Sequence, residues 1–195
     1  IWIALPIFAF ITFGPFITTL SKKNTGNSVE KEVEYSNVNN STLMLRRKDA
    51  IKDLAFWLVI IWLMVVPGFT ITGIFFHQIH LSELKNIPLW FWSTNYVWYA
   101  IASISGAFFS GLLVDKYSAH KIASVTQLPM LFACFLLWFG NEKISLALFF
   151  IFFGLAGGML HPMVISLLAE RYGTKWLGEI KSLIWALSVF SSALS

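Results

Sequence analysis

Apolar residues along this chain gather into long unbroken runs, and charged residues mark where each run stops. No Asp, Glu, Lys or Arg occurs in residues 1–21, 54–76, 86–114, 122–141, 144–169 or 182–195. About 20 apolar residues are needed for a helix rising about 1.5 Å per residue to cross a hydrocarbon core roughly 30 Å thick. All the runs except the last, 182–195, reach that length. Lipid offers no partner to backbone N–H and C=O groups, so a spanning segment must satisfy them internally, as a helix does. A closed β-barrel would show alternating segments of about ten residues, whereas these runs are apolar on every face. The pattern predicts an all-α polytopic transmembrane helix bundle, with five complete spans and part of a sixth. The chain begins at Ile1 and stops at Ser195 within an apolar run, so it reads as a fragment. Residues 1–20 lack the basic leading region and small-residue cleavage site of a signal sequence.

Composition supports a membrane environment: 57% of residues are hydrophobic and 12% charged, against about 25% charged in a soluble domain. The single cysteine, Cys134, lies inside an apolar run and excludes a disulfide framework or a thiolate metal site. No metal site and no cofactor are expected. A net charge of +4 is compatible with nucleic-acid binding, but the basic residues sit in connections between spans, without an aromatic-basic binding module. No nucleic-acid partner is therefore expected. An intramembrane enzyme would need H-E-x-x-H, paired intramembrane Asp or a Ser-His set, and none is present, so the chain does not read as an enzyme.

Three regions follow: a first transmembrane helix over 1–20, a polar linker over 21–53, and a helical bundle over 54–195. Lys and Arg number seven in 22–53, one in 77–85, two in 115–121, one in 142–143 and three in 170–181. Alternate connections thus carry twelve against two, and the positive-inside rule places 21–53, 115–121 and 170–181 in the cytoplasm. The expected location is the cell membrane, multi-pass. Asn39 and Asn40 each begin a glycosylation sequon but lie on the cytoplasmic side in this topology. Trp2, Trp57, Trp90, Trp92, Trp138 and Trp185 fall near the ends of the runs, where interfacial anchors belong.

Two of the basic connections carry a pattern. One is Gly111-Leu-Leu-Val-Asp115-Lys116-Tyr-Ser118-Ala-His120-Lys121; the other is Glu170-Arg171-Tyr172-Gly173-Thr-Lys175-Trp-Leu-Gly178-Glu179-Ile-Lys181. With Phe76-His77-Gln78-Ile-His80-Leu, they resemble the major facilitator superfamily, the first matching its G-x-x-x-D-[RK]-x-G-x-[RK]-[RK] loop between helices eight and nine. Ser118 stands where that pattern usually has Gly, and His120 where it usually has Arg. The resemblance implies a secondary transporter, covered here from helix six to part of helix eleven, with the carriers of monocarboxylates and of oxalate and formate as the nearest group. It makes Gly111, Asp115, Lys116, Lys121, Glu170, Arg171, Gly173 and Lys181 the gating candidates. Asp115, at the end of its span, can accept from backbone N–H groups at a nearby helix start and pair with a cation, forming a latch whose breaking shifts the balance of transport states. A receptor or structural membrane protein is the competing reading.

Polar side chains within a bilayer are rare enough to mark sites. Thr70, Thr72, His77, Gln78, Asn95, Tyr99 and His161 are the substrate-binding candidates. His161 is the sharpest, because imidazole can bind an anion and carry a proton; the plain alternative is a neutral ring bonded to a backbone carbonyl. Gly73 and His77 share the spacing G-x-x-x-H with Gly157 and His161. The resemblance places these pairs on helices seven and ten, the first helices of two inverted repeats with the solute between them. Since no Asp or Glu lies within a span, a coupled proton would ride on a histidine or on residues outside this chain. The expected partners are the lipid bilayer and a small solute, a small organic anion preferred, carried by a monomer. Pro67 and Pro162 are expected to kink their helices, and Gly154 and Gly158, with a Ser103, Ala107, Gly111 stripe, to let helices approach closely.

Overall fold

The computed structural model describes residues 51–195 apart from 124, 141, 174 and 175. The first predicted span, the linker as far as residue 50, Lys175 and the side chain of His120 lie outside that description. All regular structure among the described residues is helical, as the uncharged runs predict. We number the helices α1 (Leu54–Ile60), α2 (Val66–Phe76), α3 (Gln78–Leu84), α4 (Leu89–Thr94), α5 (Tyr96–Tyr117), α6 (Ala119–Ile122), α7 (Leu128–Phe139), α8 (Lys143–Tyr172) and α9 (Leu177–Ala193). Among the described residues three segments are long and apolar enough to cross a membrane: Phe56–Phe76, Leu89–Tyr117 and Lys143–Tyr172.

Proline and short polar side chains explain where the long segments depart from a straight helix. Between α1 and α2, Ile61–Val65 forms a π-helical turn in which the Val66 N–H bonds to the Ile61 carbonyl. Pro67 follows at once. It has no N–H, and its ring would strike the carbonyl four residues earlier, so the wider turn is a local escape. At the α4–α5 junction Ser93, Thr94 and Asn95 bond back to the carbonyls of Leu89, Trp90 and Phe91 at 2.9, 2.6 and 2.7 Å. Such back-bonding competes with the helix ladder and bends it.

The run 122–141, expected as one complete span, is instead broken. α7 has only 12 residues, about 18 Å of helix, and Pro129 sits in its first turn. Turns lead into it from α6, closed by the Val125 and Thr126 amides on the Ile122 carbonyl at 2.8 and 3.1 Å. Irregular backbone beside lipid is tolerated only where protein covers it, and Ala123, Thr126 and Gln127 are buried.

α8, 30 residues and about 45 Å long, is the central post. Its first half joins Trp92, Met130, Ala133 and Leu137 in one apolar cluster through Leu146, Phe149, Phe150, Phe153 and Ala156. Its second half joins α1, the π turn and α9 in another through Leu160, Met163, Val164, Leu167, Leu168 and Tyr172. Gly157 lies between the two clusters, at mid-length of the helix. α8 packs on α5 through glycine. A Cβ on Gly158 would stand 2.0 Å from the Ser103 carbonyl oxygen, one on Gly154 2.3 Å from that of Tyr99, and one on Gly106 2.5 Å from that of Leu155. The close approach expected of Gly154 and Gly158 is present, but Gly106 supplies the facing glycine. Gly111 meets nothing within 4 Å.

One of the expected interfacial tryptophans belongs to the interior instead. Trp92 is fully buried, edge-on to Phe150 at 5.7 Å. Trp185 lies one turn after Lys181, near the start of its uncharged run, and is exposed. Trp90 and Trp138 are exposed, as anchors are. Pro162 sits inside α8.

Candidate functional site

The structure divides the polar candidates into those used locally and those left open. Thr70 is buried and donates to the Val66 carbonyl at 2.9 Å. Asn95 is buried and is the helix-bending donor described above. Thr72 is half-buried. At the end of α2 the exposed His77 ring lies 3.1 Å through Nδ1 from the Gly73 carbonyl, the plain arrangement for an intramembrane histidine. Gln78 accepts from the Tyr96 hydroxyl at 2.6 Å. Tyr96 stacks on Phe75 at 5.6 Å, and Tyr99 meets the same ring edge-on at 5.8 Å. Gln78 and Tyr99 are therefore brought together around Phe75, Tyr96 and the aromatic end of α8, while Asn95 bonds within its own helix. Tyr96, which connects Gln78 to Tyr99, is an intramembrane polar residue of the same run, beside Asn95 and three residues before Tyr99.

His161 stands apart from that group and does not do what His77 does. Its ring stacks on the Trp185 indole, centroids 5.0 Å apart and planes inclined by 21°. It makes no hydrogen bond among the described residues. One turn earlier on the same face, Gly157 leaves room for the Tyr99 hydroxyl, which a Cβ there would approach to 3.2 Å. That hydroxyl also has no hydrogen-bond partner among the described residues. Two polar groups thus lie a turn apart at mid-length of the longest span, with their bonding capacity unused. An intramembrane polar group of this kind faces the bundle interior or water rather than lipid.

At the end of the bundle that carries the basic connections, contacts run differently from the expected latch. Asp115 is exposed and has no hydrogen bond or ion pair among the described residues. Lys116 extends over the Tyr117 ring at 5.1 Å, and Lys121 is exposed. The acceptor that bridges the connections is Glu170, whose carboxylate takes the Ser118 hydroxyl at 2.9 Å and the Ala119 N–H at 2.8 Å. Ser118 makes this geometry by adopting φ 69°, ψ 137°, a backbone state that favours glycine. Gly173 ends α8 with φ 77°. Ser118→Ala keeps the strain and loses the hydroxyl bond, while Ser118→Gly loses the bond and relieves the strain. Thermal melting should accordingly rank the glycine variant about 1 kcal/mol or more above the alanine variant, and equal melting would remove strain from this turn.

Beside it, Arg171 pairs with Asp53 at 2.8 Å, and the Tyr172 hydroxyl donates to the same carboxylate oxygen at 3.1 Å. Asp53 was not singled out in the sequence, although as the charge immediately before an uncharged run it sits where such a tie must form. Lys181 is half-buried, one turn before Trp185 on α9. At the opposite ends of the spans, the Lys85 ammonium donates to the Gly140 carbonyl, tying two connections together. Burial holds its pKa below the ordinary lysine value.

Among the described residues no group of His, Cys, Asp and Glu could hold a metal ion. The helical architecture and its three segments of membrane-crossing length and apolarity are those of a multi-pass membrane protein. The family model of the Major Facilitator Superfamily matches residues 1–195, and the chain belongs to that superfamily of transporters. Comparison with curated proteins and with solved structures finds no match.

Proposed function

We propose that this protein is a secondary carrier that moves a small organic anion across the cell membrane by alternating access. In this reading the chain supplies helix six to part of helix eleven, and its nearest relatives in chemistry are carriers of monocarboxylates and of oxalate and formate. The supporting observation is the pair formed by the Tyr99 hydroxyl and the His161 ring, both without hydrogen-bond partners among the described residues, at mid-length of α8. A solute entering between the helices finds donors already placed there. With no Asp or Glu in the uncharged runs, His161 is also the candidate carrier of a coupled proton. The ties made by Glu170 and by Asp53 with Arg171 join helix ends, and their making and breaking can tilt the balance between inward-open and outward-open forms.

Full-length protein in liposomes should show saturable uptake and counterflow of its solute, and His161→Ala should lower uptake about tenfold through loss of a donor to an anion. Absence of counterflow with every solute offered would favour a receptor or structural role. Sidedness has its own test. Single cysteines replacing Lys48, Lys121 and Lys175 should all react with an impermeant reagent from the same face of sealed vesicles. Labelling from opposite faces would overturn the proposed topology, in which 21–53, 115–121 and 170–181 are cytoplasmic.

A further inference from the structure

The His161–Trp185 stack has an open side and a charge beside it. His161 is exposed, and Trp185 retains 38% exposure, although it lies well inside α9. Stacking of two flat rings leaves outer faces that can extend the stack. Lys181 stands one turn toward the start of α9, on the same face as Trp185. Its side chain is half-buried. α9 is therefore set against α8 with a π surface, a ring N–H donor and a cation within about one helical turn.

We infer that His161, Trp185 and Lys181 form a subsite for an aromatic carboxylate, the flat ring lying on the His161–Trp185 stack and the carboxylate meeting the Lys181 ammonium. This rests on the carrier reading and narrows it. An aliphatic carboxylate of similar charge gains the ion pair but not the stacking, and a neutral aromatic gains the stacking but not the ion pair. Selectivity should then appear against both. Lys181 acquires a role in recognition besides its candidacy as a gating residue, and Trp185 a role that its place near the start of an uncharged run concealed.

Binding of radiolabelled benzoate to the purified full-length protein tests the inference independently of transport. Benzoate should bind saturably, with unlabelled benzoate competing at least about tenfold better than acetate or benzamide. Trp185→Leu and Lys181→Gln should each weaken benzoate binding about tenfold, while Trp185→Phe and Lys181→Arg, which keep the ring and the charge, retain most of it. The acetate and benzamide competitions need only the wild-type protein, so a variant that fails to fold leaves the inference testable. No saturable benzoate binding, equal competition by acetate or benzamide, or unchanged binding in both folded Trp185→Leu and Lys181→Gln would overturn it. A protein that gives counterflow with some other solute while failing these tests loses the subsite and keeps the carrier function. One that binds benzoate as described but shows no counterflow keeps the subsite and loses the carrier.

Discussion

Gly158→Ala should lower the melting temperature of the purified protein sharply, although it adds a single methyl group. The new Cβ would lie 2.0 Å from the Ser103 carbonyl oxygen and 2.7 Å from the carbonyl carbon. Both are backbone atoms of α5, so no rotamer change can relieve the clash and the two helices must part. Overpacking of a well-packed core costs about 1–3 kcal/mol, and separation here would also disturb the neighbouring contacts at Gly154 and Gly106, which have the same character. The upper end of that range or more is expected. Two other glycines provide internal controls. At Gly157 the nearest atom is the end of the Tyr99 side chain at 3.2 Å, which can move, and at Gly111 there is open space. Gly111→Ala should be neutral or stabilising by about 0.5–1 kcal/mol, because glycine is a poor helix former. If Gly158→Ala melts like Gly111→Ala, the seam between α5 and α8 is not as close as described. Gly157→Ala adds a functional readout, since it crowds the Tyr99 hydroxyl without separating backbones and should reduce transport more than stability.

The same glycines separate the features of the fold that are legible in the amino-acid sequence from those that are not. Charge-free runs disclose helices because lipid forces backbone bonds inward, and that constraint acts on every residue of a run. All the described regular structure is accordingly helical. The Gly154–Gly158 spacing likewise places two small residues on one helix face. The facing surface could be read only in part: Ser103 of the Ser103, Ala107, Gly111 stripe lies against Gly158, but Gly111 meets nothing within 4 Å and Gly106, outside the stripe, faces Leu155, since which side of α5 meets α8 depends on packing that no local pattern encodes. The break in 122–141 has a similar cause. The segment is apolar throughout, and only Pro129 and the neighbouring Thr126 and Gln127 hint that an irregular turn precedes a short helix.

Site residues were legible by type and less so by arrangement. Polar residues in apolar runs do include the open pair, Tyr99 and His161, but the same rule also selects Thr70 and Asn95, whose bonds close on their own helix. Distinguishing them requires knowing where each side chain's partner is, and an acceptor four residues back is equally available to both kinds in a sequence. His77 and His161 share a G-x-x-x-H pattern and end in different states, one beside its own Gly73 carbonyl and one stacked on a tryptophan from another helix. Asp115 and Glu170 were both gating candidates, and the structure uses them differently. The motif drew attention to Asp115, yet the bridging carboxylate is Glu170, because the positive φ at Ser118 presents the Ala119 N–H to the end of α8.

Asp53→Asn should be the most damaging single change outside the membrane-spanning core. The Asp53 carboxylate receives both the Arg171 guanidinium and the Tyr172 hydroxyl on one oxygen, at 2.8 and 3.1 Å. Tyr172 is 2% exposed and packs edge-on against Phe56 at 5.6 Å, so its hydroxyl cannot turn to bulk water when the acceptor weakens. Arg171, whose side chain is 19% exposed, is left as a largely covered cation. A hydrogen bond to a charged group contributes about 1.5–3 kcal/mol, and breaking a buried pair costs about 3–5 kcal/mol; Asp53 is a third exposed, and solvent screening brings the expectation to about 2 kcal/mol. The tie also joins the start of α1 to the end of α8, so its loss should alter the distribution of transport states as well as the melting temperature. A double-mutant cycle with Tyr172→Phe separates the contributions. If the hydroxyl and the guanidinium act through one carboxylate, Asp53→Asn in the Tyr172→Phe background should cost less than in the wild type, by about 1 kcal/mol. Full additivity would mean that Tyr172 and Asp53 stabilise the protein independently, and that the ion pair with Arg171 alone ties the two helix ends together.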